Sequence, residues 1–415
     1  STPESGFLQG KGVGRIGLAA FDANTLYAIV DNQERRPRSD ALQAKLNKYD
    51  FEGISLEAFM AIDNKLLQTF LSDNGFPKVY TANRIREEVR NGNLKPSDLA
   101  LFLYNANDDL FDTPVVGPEV YRSDDGGQTW SKTHSGYLDD IYYSYGYYFG
   151  MVHVSPSDKN HIYIYGVPIL ASTDGGKSFK TLDAANVHAD HHALWINPKN
   201  PKHLVNGNDG GVNISYDGGQ NWIKANQPTV GQFYTVYADE QEPYHVYGGL
   251  QDNGVWEAVH TAKESLRWHQ SGHNPWTAIM GGDGMQIQVD SRNANIVYTG
   301  YQFGNYFRID RDSDKRKYIQ PKHKLGEAPF RFNWQTPIQL SAHNNDIIYL
   351  GSNKLHRSLN QGDDWKAISD DLTKGAKKGN VPYGTLTAID ESRDVFGMLV
   401  VGSDDGLIHL TQNSG

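Results

Sequence analysis

Along most of the chain the apolar positions fall in short runs separated by polar turns. Residues 15–20 (Arg-Ile-Gly-Leu-Ala-Ala) and 25–30 (Thr-Leu-Tyr-Ala-Ile-Val) are two such runs joined by Asp22-Ala23-Asn24, the pattern of two strands and a turn. They read as the innermost strands of a first sheet, whose third strand is residues 119–122. Between them, over residues 33–116, the period changes. Leu56, Phe59, Met60, Asp63, Leu66, Leu67, Phe70 and Leu71 keep three- and four-residue steps, predicting a helix capped by Ser55 and stopped by Gly75. A second helix is expected over 83–90, ended by Gly92, and a third over 98–104, capped by Ser97 after Pro96. A small helical subdomain therefore interrupts the first sheet.

The rest of the chain is organised by a repeat. Ser123-Asp124-Asp125-Gly126-Gly127-Gln128-Thr129-Trp130 recurs as Ser172-x-Asp174-x-Gly176-x-x-Phe179, Ser215-x-Asp217-x-Gly219-x-x-Trp222 and the degenerate Ser358-x-Asn360-x-Gly362-x-x-Trp365; a fifth copy begins at Thr411-x-Asn413. Each has the chemistry of a tight hairpin: an Asp or Asn that can bond backbone N–H groups further on, a Gly free to take positive φ, and an aromatic anchor. The steps between the Asp or Asn positions 125, 174, 217, 360 and 413 fit six intervals of about 48 residues, the scale of a four-stranded propeller blade. The expected fold is all-β: a seven-bladed β-propeller over 1–32 and 117–415, with residues 33–116 as a helical insertion in blade one, over the axial polar face. Two blades between Asp217 and Asn360 have lost the signature.

This repeat is the Asp box, or BNR repeat, and outside the insertion the chain resembles the Asp-box propellers, including sortilin-type receptors, sialidases and glycoside hydrolase family 74 enzymes. Val187-His188-Ala189-Asp190-His191-His192-Ala193-Leu194-Trp195, Gly207-Asn208-Asp209-Gly210-Gly211 and Leu250-Gln251-Asp252-Asn253-Gly254 carry a closer likeness to secreted bacterial proteins labelled BNR-repeat glycosyl hydrolases. The resemblance implies a secreted or cell-surface location. It does not carry over sialidase chemistry: Arg15, Arg308, Arg331 and Arg357 are scattered, and no Arg-Ile-Pro start is present.

A net charge of −10 and the lack of any Lys/Arg block argue against nucleic acid or an anionic membrane as partner, and favour cations, basic peptides or neutral sugars. With no cysteine there is no disulfide framework, thiolate metal site or thiol nucleophile. No apolar run is long enough for a membrane span. The first residues do not read as a signal peptide, and the last copy of the repeat stops short, so an excised part of a longer parent chain, with other domains as neighbours, is expected.

Three constellations carry candidate chemistry. His188, Asp190 and His192 could be presented together by a loop as transition-metal ligands, or could bond neighbouring loops. Asp209, Asp252, Asp283 and Asp404, with Asp405 beside the last, lie in loops predicted on one face; paired carboxylates there could act as general acid and base on a glycosidic bond, while Asp beside Gly also suits turns. Tyr145 and Tyr148, in a tyrosine-rich crossing into blade two, join Gln251, Gln302, Trp334 and Tyr383 as ligand-binding candidates. No cofactor is specified. The leading expectation is recognition of a glycan or a protein segment on the lidded axial face; the alternative is a polysaccharide hydrolase or lyase using the His/Asp cluster and the acidic ring.

Overall fold

The computed structural model describes residues 3–36, 45–111, 115–225, 231–271, 274–377, 379 and 381–415; parts of the predicted insertion, 37–44 and 112–114, lie outside these. The chain is a seven-bladed β-propeller with a helical insertion in blade one, built from seven consecutive antiparallel sheets. Blade one holds Val13–Ala20, Leu26–Arg35, Val115–Ser123 and Ser131–Lys132. Blade two holds Met151–Ser155, Asp158–Tyr165, Ile169–Ser172 and Lys180–Thr181; blade three, His191–Ile196, Leu204–Asn208, Gly211–Ser215 and Ile223–Lys224. Blade four is Phe233–Ala238, His245–Leu250, Gly254–Val259 and Thr277–Met280, its last link carrying the short helix Leu266–Ser271. Gln288–Val289, Ile296–Tyr301, Asn305–Asp310 and Lys315–Tyr318 form blade five, and Ile338–Leu340, Ile348–Gly351, Leu355–Ser358 and Lys366–Ala367 form blade six. The seventh sheet has three strands, Leu386–Glu391, Leu399–Ser403 and Ile408–Thr411.

The chain divides into two compact units. Residues 1–36 and 109–284 hold blades one to four; residues 37–108 and 285–415 hold the helical insertion with blades five to seven.

In the first unit, neighbouring sheets bury their faces against each other. Tyr27, Ile29 and Val120 of blade one pack with Val152, Ile162 and Ile164 of blade two, and Tyr163, Tyr165 and Ile169 pack with Leu194, Leu204 and Trp222 of blade three. Each such side chain contributes about 1.5–3 kcal/mol of burial. Most of the second strand of blade one is buried, whereas the first strand of that blade is open: Leu18 is 70% exposed. That strand pairs on one side only, so an apolar sequence there does not guarantee a buried one. The N-terminal segment packs on its own blade: Trp130 N–H donates to the Ser5 carbonyl at 2.7 Å, and Phe7 lies 5.0 Å from the Tyr121 ring.

The repeated motif closes the third and fourth strands by one hydrogen-bond relay. Ser215 Oγ accepts from Gly219 N–H at 2.8 Å and donates to Asp217 Oδ1 at 2.8 Å, while the carboxylate takes Asn221 N–H at 2.9 Å. The same relay joins Ser123 to Gly127 and Asp125, Ser172 to Gly176 and Asp174, and Ser358 to Gly362 and Asn360. Gly219, at φ +89°, supplies the left-handed backbone the turn needs. Thr411 substitutes for Ser in the last copy, accepting from Gly415 N–H at 3.0 Å.

The insertion has more helices than its periodicity predicted. The first expected helix is two, Leu56–Ala61 and Asn64–Asp73, because Asp63 Oδ1 accepts from Leu66 N–H at 2.9 Å and starts a new helix. Ala82–Arg90 and Ser97–Phe102 follow, then Ala106–Phe111. Ser97 is not a cap: Pro96 holds that position with no side-chain bond. Phe51, Phe59, Leu67, Phe70, Ile85, Leu99 and Phe102 form the insertion core, and Leu325, which follows blade five, packs on it.

Candidate functional site

In the first unit, four loops bring acids together: the crossing into blade three (188–190), the turns between second and third strands of blades three and four (209–210 and 251–253), and the crossing that leaves blade four, with Asp283. The loops are tied by backbone bonds. Asp190 N–H donates to the Val167 carbonyl at 2.9 Å, Asp209 N–H to the Asp190 carbonyl at 3.2 Å, and Gly254 N–H to the Gly282 carbonyl at 2.8 Å. Asp190 and Asp252 sit at φ +62° and +59°, a left-handed conformation that Asp tolerates better than most residues. Gly210 is required for a different reason: a Cβ there would lie 2.4 Å from His188 Cβ.

Side chains complete the network. Asp252 N–H donates to Asp283 Oδ1 at 3.1 Å, and the Asp252 carboxyl is hydrogen-bonded to those of Asp209 and Asp283. Burial first, then the charges of Asp283 and Asp209, push Asp252 up to about 8. Burial also raises Asp283, and burial followed by the Asp209 charge raises Asp190 to about 6. Half-buried carboxyls that act on one another's charge resist ionising, so Asp252 keeps its proton near neutral pH.

The histidines are divided among separate tasks. His188 Nδ1 lies 3.0 Å from the Ala189 carbonyl and Nε2 3.2 Å from the Asp252 carbonyl; His192 Nε2 pairs with Asp209 Oδ1 at 2.8 Å; His191 is buried, its Nδ1 2.8 Å from Asn206 Oδ1. Among the described residues no three His, Asp or Glu side chains are placed to hold a metal ion. The ring nitrogens of His188 and His192 face the Ala189 and Asp252 carbonyls and the Asp209 carboxylate.

Aromatic groups flank the acids. His192 stacks on Phe149 at 5.7 Å and meets the edge of Tyr148 at 5.3 Å; Tyr148 is 56% exposed. Tyr145 is half-buried, its hydroxyl pushed up by burial and by the nearby Asp190 and Asp252 charges. Gln251 is half-buried and bonded through its backbone, N–H to the Gln232 carbonyl and its own carbonyl to Asn253 Nδ2. Asn253 Nδ2 also lies 3.3 Å from the Asp209 carbonyl, so this Asn stitches the two acidic turns, a role no motif announced.

The remaining candidates belong to the second unit. Asp404 accepts from Gly384 N–H, Thr385 N–H and Thr385 Oγ1 at 3.0, 3.0 and 2.7 Å, which ties the turn after the second strand of blade seven to the crossing that enters that blade. Asp405 is held below the ordinary carboxylate range by Ser403 and Lys374. Gln302 is buried with its Oε1 unpartnered, Trp334 packs edge-on to Phe303 at 5.2 Å, and the Tyr383 ring lies 4.2 Å from Lys377 Nζ.

No protein-family model matches the sequence, and no curated protein does. Solved structures similar to this chain include YCF48 bound to D1 peptide, with 16% identity, 72% of this chain and 87% of that chain covered, and a TM-score of 0.30. YCF48 from Cyanidioschyzon merolae shares 15% identity over 71% of this chain and 88% of that one, TM-score 0.27. A GH74 xyloglucanase from Xanthomonas campestris shares 10% identity over 72% of this chain, TM-score 0.22, and the match spans only 41% of the xyloglucanase.

Proposed function

We propose that the chain is a secreted or surface-displayed recognition protein, and that the acidic loops of blades three and four receive a cationic side chain, Lys or Arg, of a protein segment. The observation that carries this reading is the direct contact of Asp209, Asp252 and Asp283. Carboxyls held together, with their charges opposing one another, gain most from a group that brings positive charge and N–H donors. Tyr148 beside them offers an exposed apolar face for the stem of such a side chain or for a sugar ring.

The same contact weighs against the polysaccharide hydrolase or lyase. An acid that holds its proton to about 8 beside other carboxyls has the chemistry of a general acid. Glycosidic cleavage, however, uses carboxyls about 5–10 Å apart, with the sugar or a water between them, and hydrogen-bonded carboxyls leave no such gap.

Calorimetric titration with a Lys- and Arg-containing peptide, in two buffers of different ionisation enthalpy, tests the reading. Binding with proton release is expected, since a cation favours the ionised acids, and Asp252→Asn removes that release. Equal binding of a neutral peptide, or reducing sugar released from a polysaccharide panel and lost in Asp252→Asn, would overturn it.

A further inference from the structure

Tyr148, in the crossing into blade two, is 56% exposed and yet held in place. Arg15, on the first strand of blade one, donates from Nη1 to the Tyr148 carbonyl at 2.8 Å. The rings of Phe149 and His192 meet the tyrosine ring at right angles, their centroids 5.4 and 5.3 Å away. Neither stacks on it, so a face of the ring is left to solvent. A large side chain whose backbone and ring are both held loses little conformational freedom when a ligand covers it.

That ring stands one imidazole away from the acids. His192, against Tyr148, lies with Nε2 2.8 Å from Asp209 Oδ1. An open aromatic face near a carboxylate is the pair of surfaces a guanidinium uses, its plane over the ring and its N–H edge toward the oxygens. The first unit contains this pairing twice. The Arg36 guanidinium lies 4.0 Å over the Tyr137 ring with Nη2 2.6 Å from Asp139 Oδ1, and that of Arg122 lies 5.6 Å over Tyr27 with Nη2 2.6 Å from Asp124 Oδ1. In both places the chain supplies its own arginine. At Tyr148 the neighbouring Arg15 is engaged at the main chain, so a cation for the ring face comes from another molecule. A lysine ammonium is a compact, strongly hydrated charge with no plane to lay on the ring, whereas a guanidinium is weakly hydrated and flat.

We infer that Tyr148 is a specificity-determining residue of the acidic site, and that the segment bound there presents arginine rather than lysine, its guanidinium stacked on the open face of Tyr148 and donating to Asp209. The inference rests on the acidic loops being the recognition surface, and adds which cation they select.

The test compares three peptides that differ at one position, Arg, Lys or the neutral arginine isostere citrulline, by calorimetric titration of the whole chain. The Arg peptide should bind wild type tightest and the citrulline peptide weakest. In Tyr148→Ala the advantage of Arg over Lys should shrink by about two- to fivefold, the worth of a ring–cation contact at an exposed site, while both still exceed citrulline. Tyr148→Phe, which keeps the ring, should keep the advantage, and Tyr148→Leu replaces the Ala variant should that one fail to fold. Equal binding of Arg and Lys by wild type, or an advantage unchanged in Tyr148→Ala, overturns the inference and leaves the acidic site standing. Citrulline binding as tightly as Arg overturns both.

Discussion

The Asp252 backbone N–H donates to Asp283 Oδ1 at 3.1 Å, joining the turn between the second and third strands of blade four to the crossing that leaves the blade. The bond fixes two acids, 31 positions apart in sequence, within reach of each other's carboxyl groups. Their half-burial and mutual charge set the behaviour of the whole cluster.

Stability should respond to that cluster in a defined direction. Asp252, raised to about 8, and Asp190, raised to about 6, both lie above the ordinary value of 3.8, so the folded chain keeps protons that the unfolded chain has released. Their contribution is greatest below about pH 4 and is lost as pH rises through about 6 to 8. Asp252→Asn should therefore gain stability relative to wild type as pH rises from 5 to 8.5, read by urea unfolding at each pH. A constant difference would contradict the raised value.

Gly210→Ala should disturb the site more than the fold. Its Cβ would lie 2.4 Å from His188 Cβ, so the 188–190 loop must move, and with it the bond from His188 to the Asp252 carbonyl. The expected result is a small drop in melting temperature and at least about tenfold weaker binding of the basic peptide, since a misplaced recognition group loses its hydrogen bonds. Unchanged affinity would exclude this loop from the interface.

Removing the relay hydroxyl of one repeat should cost stability without touching binding. Ser215 is buried, and its Oγ satisfies Gly219 N–H. Ser215→Ala leaves that donor unpaired, at about 1–3 kcal/mol, measured by denaturant unfolding.

Phe51→Ala should loosen the insertion first. Phe51 is fully buried and lies 4.6 Å from the Phe70 ring and 6.2 Å from Phe59. A cavity of that kind costs about 3–5 kcal/mol. Hydrogen exchange should rise across Leu56–Ala61 and Asn64–Asp73 and remain slow in blades two and three; uniform acceleration would mean that the insertion does not open on its own.

Chelation should leave the melting temperature unchanged, because the ring nitrogens of His188 and His192 already face the Asp252 carbonyl and the Asp209 carboxylate. A drop reversed by added zinc would reinstate a metal at this loop.

Sequence alone determined the blade count and the hairpins, since these follow from local rules. A Ser, an Asp and a Gly at fixed spacing make the same relay wherever they recur, and two-residue alternation or three- and four-residue steps distinguish strand from helix. It also located the loops that carry Asp190, Asp209, Asp252 and Asp283, because strand order fixes which turns follow which strands. What those side chains do was decided by tertiary structure. Asp404 sits beside Gly like the others, yet it binds the Thr385 and Gly384 N–H groups, while Asp252 meets two carboxyls; only non-local packing distinguishes them. Equally illegible was the cavity of about 130 Å³ in the second unit, because Phe102 of its wall comes from the insertion and Phe303, Tyr318 and Phe330 from positions some 200 residues later, and no local pattern records which side chains leave a space between them.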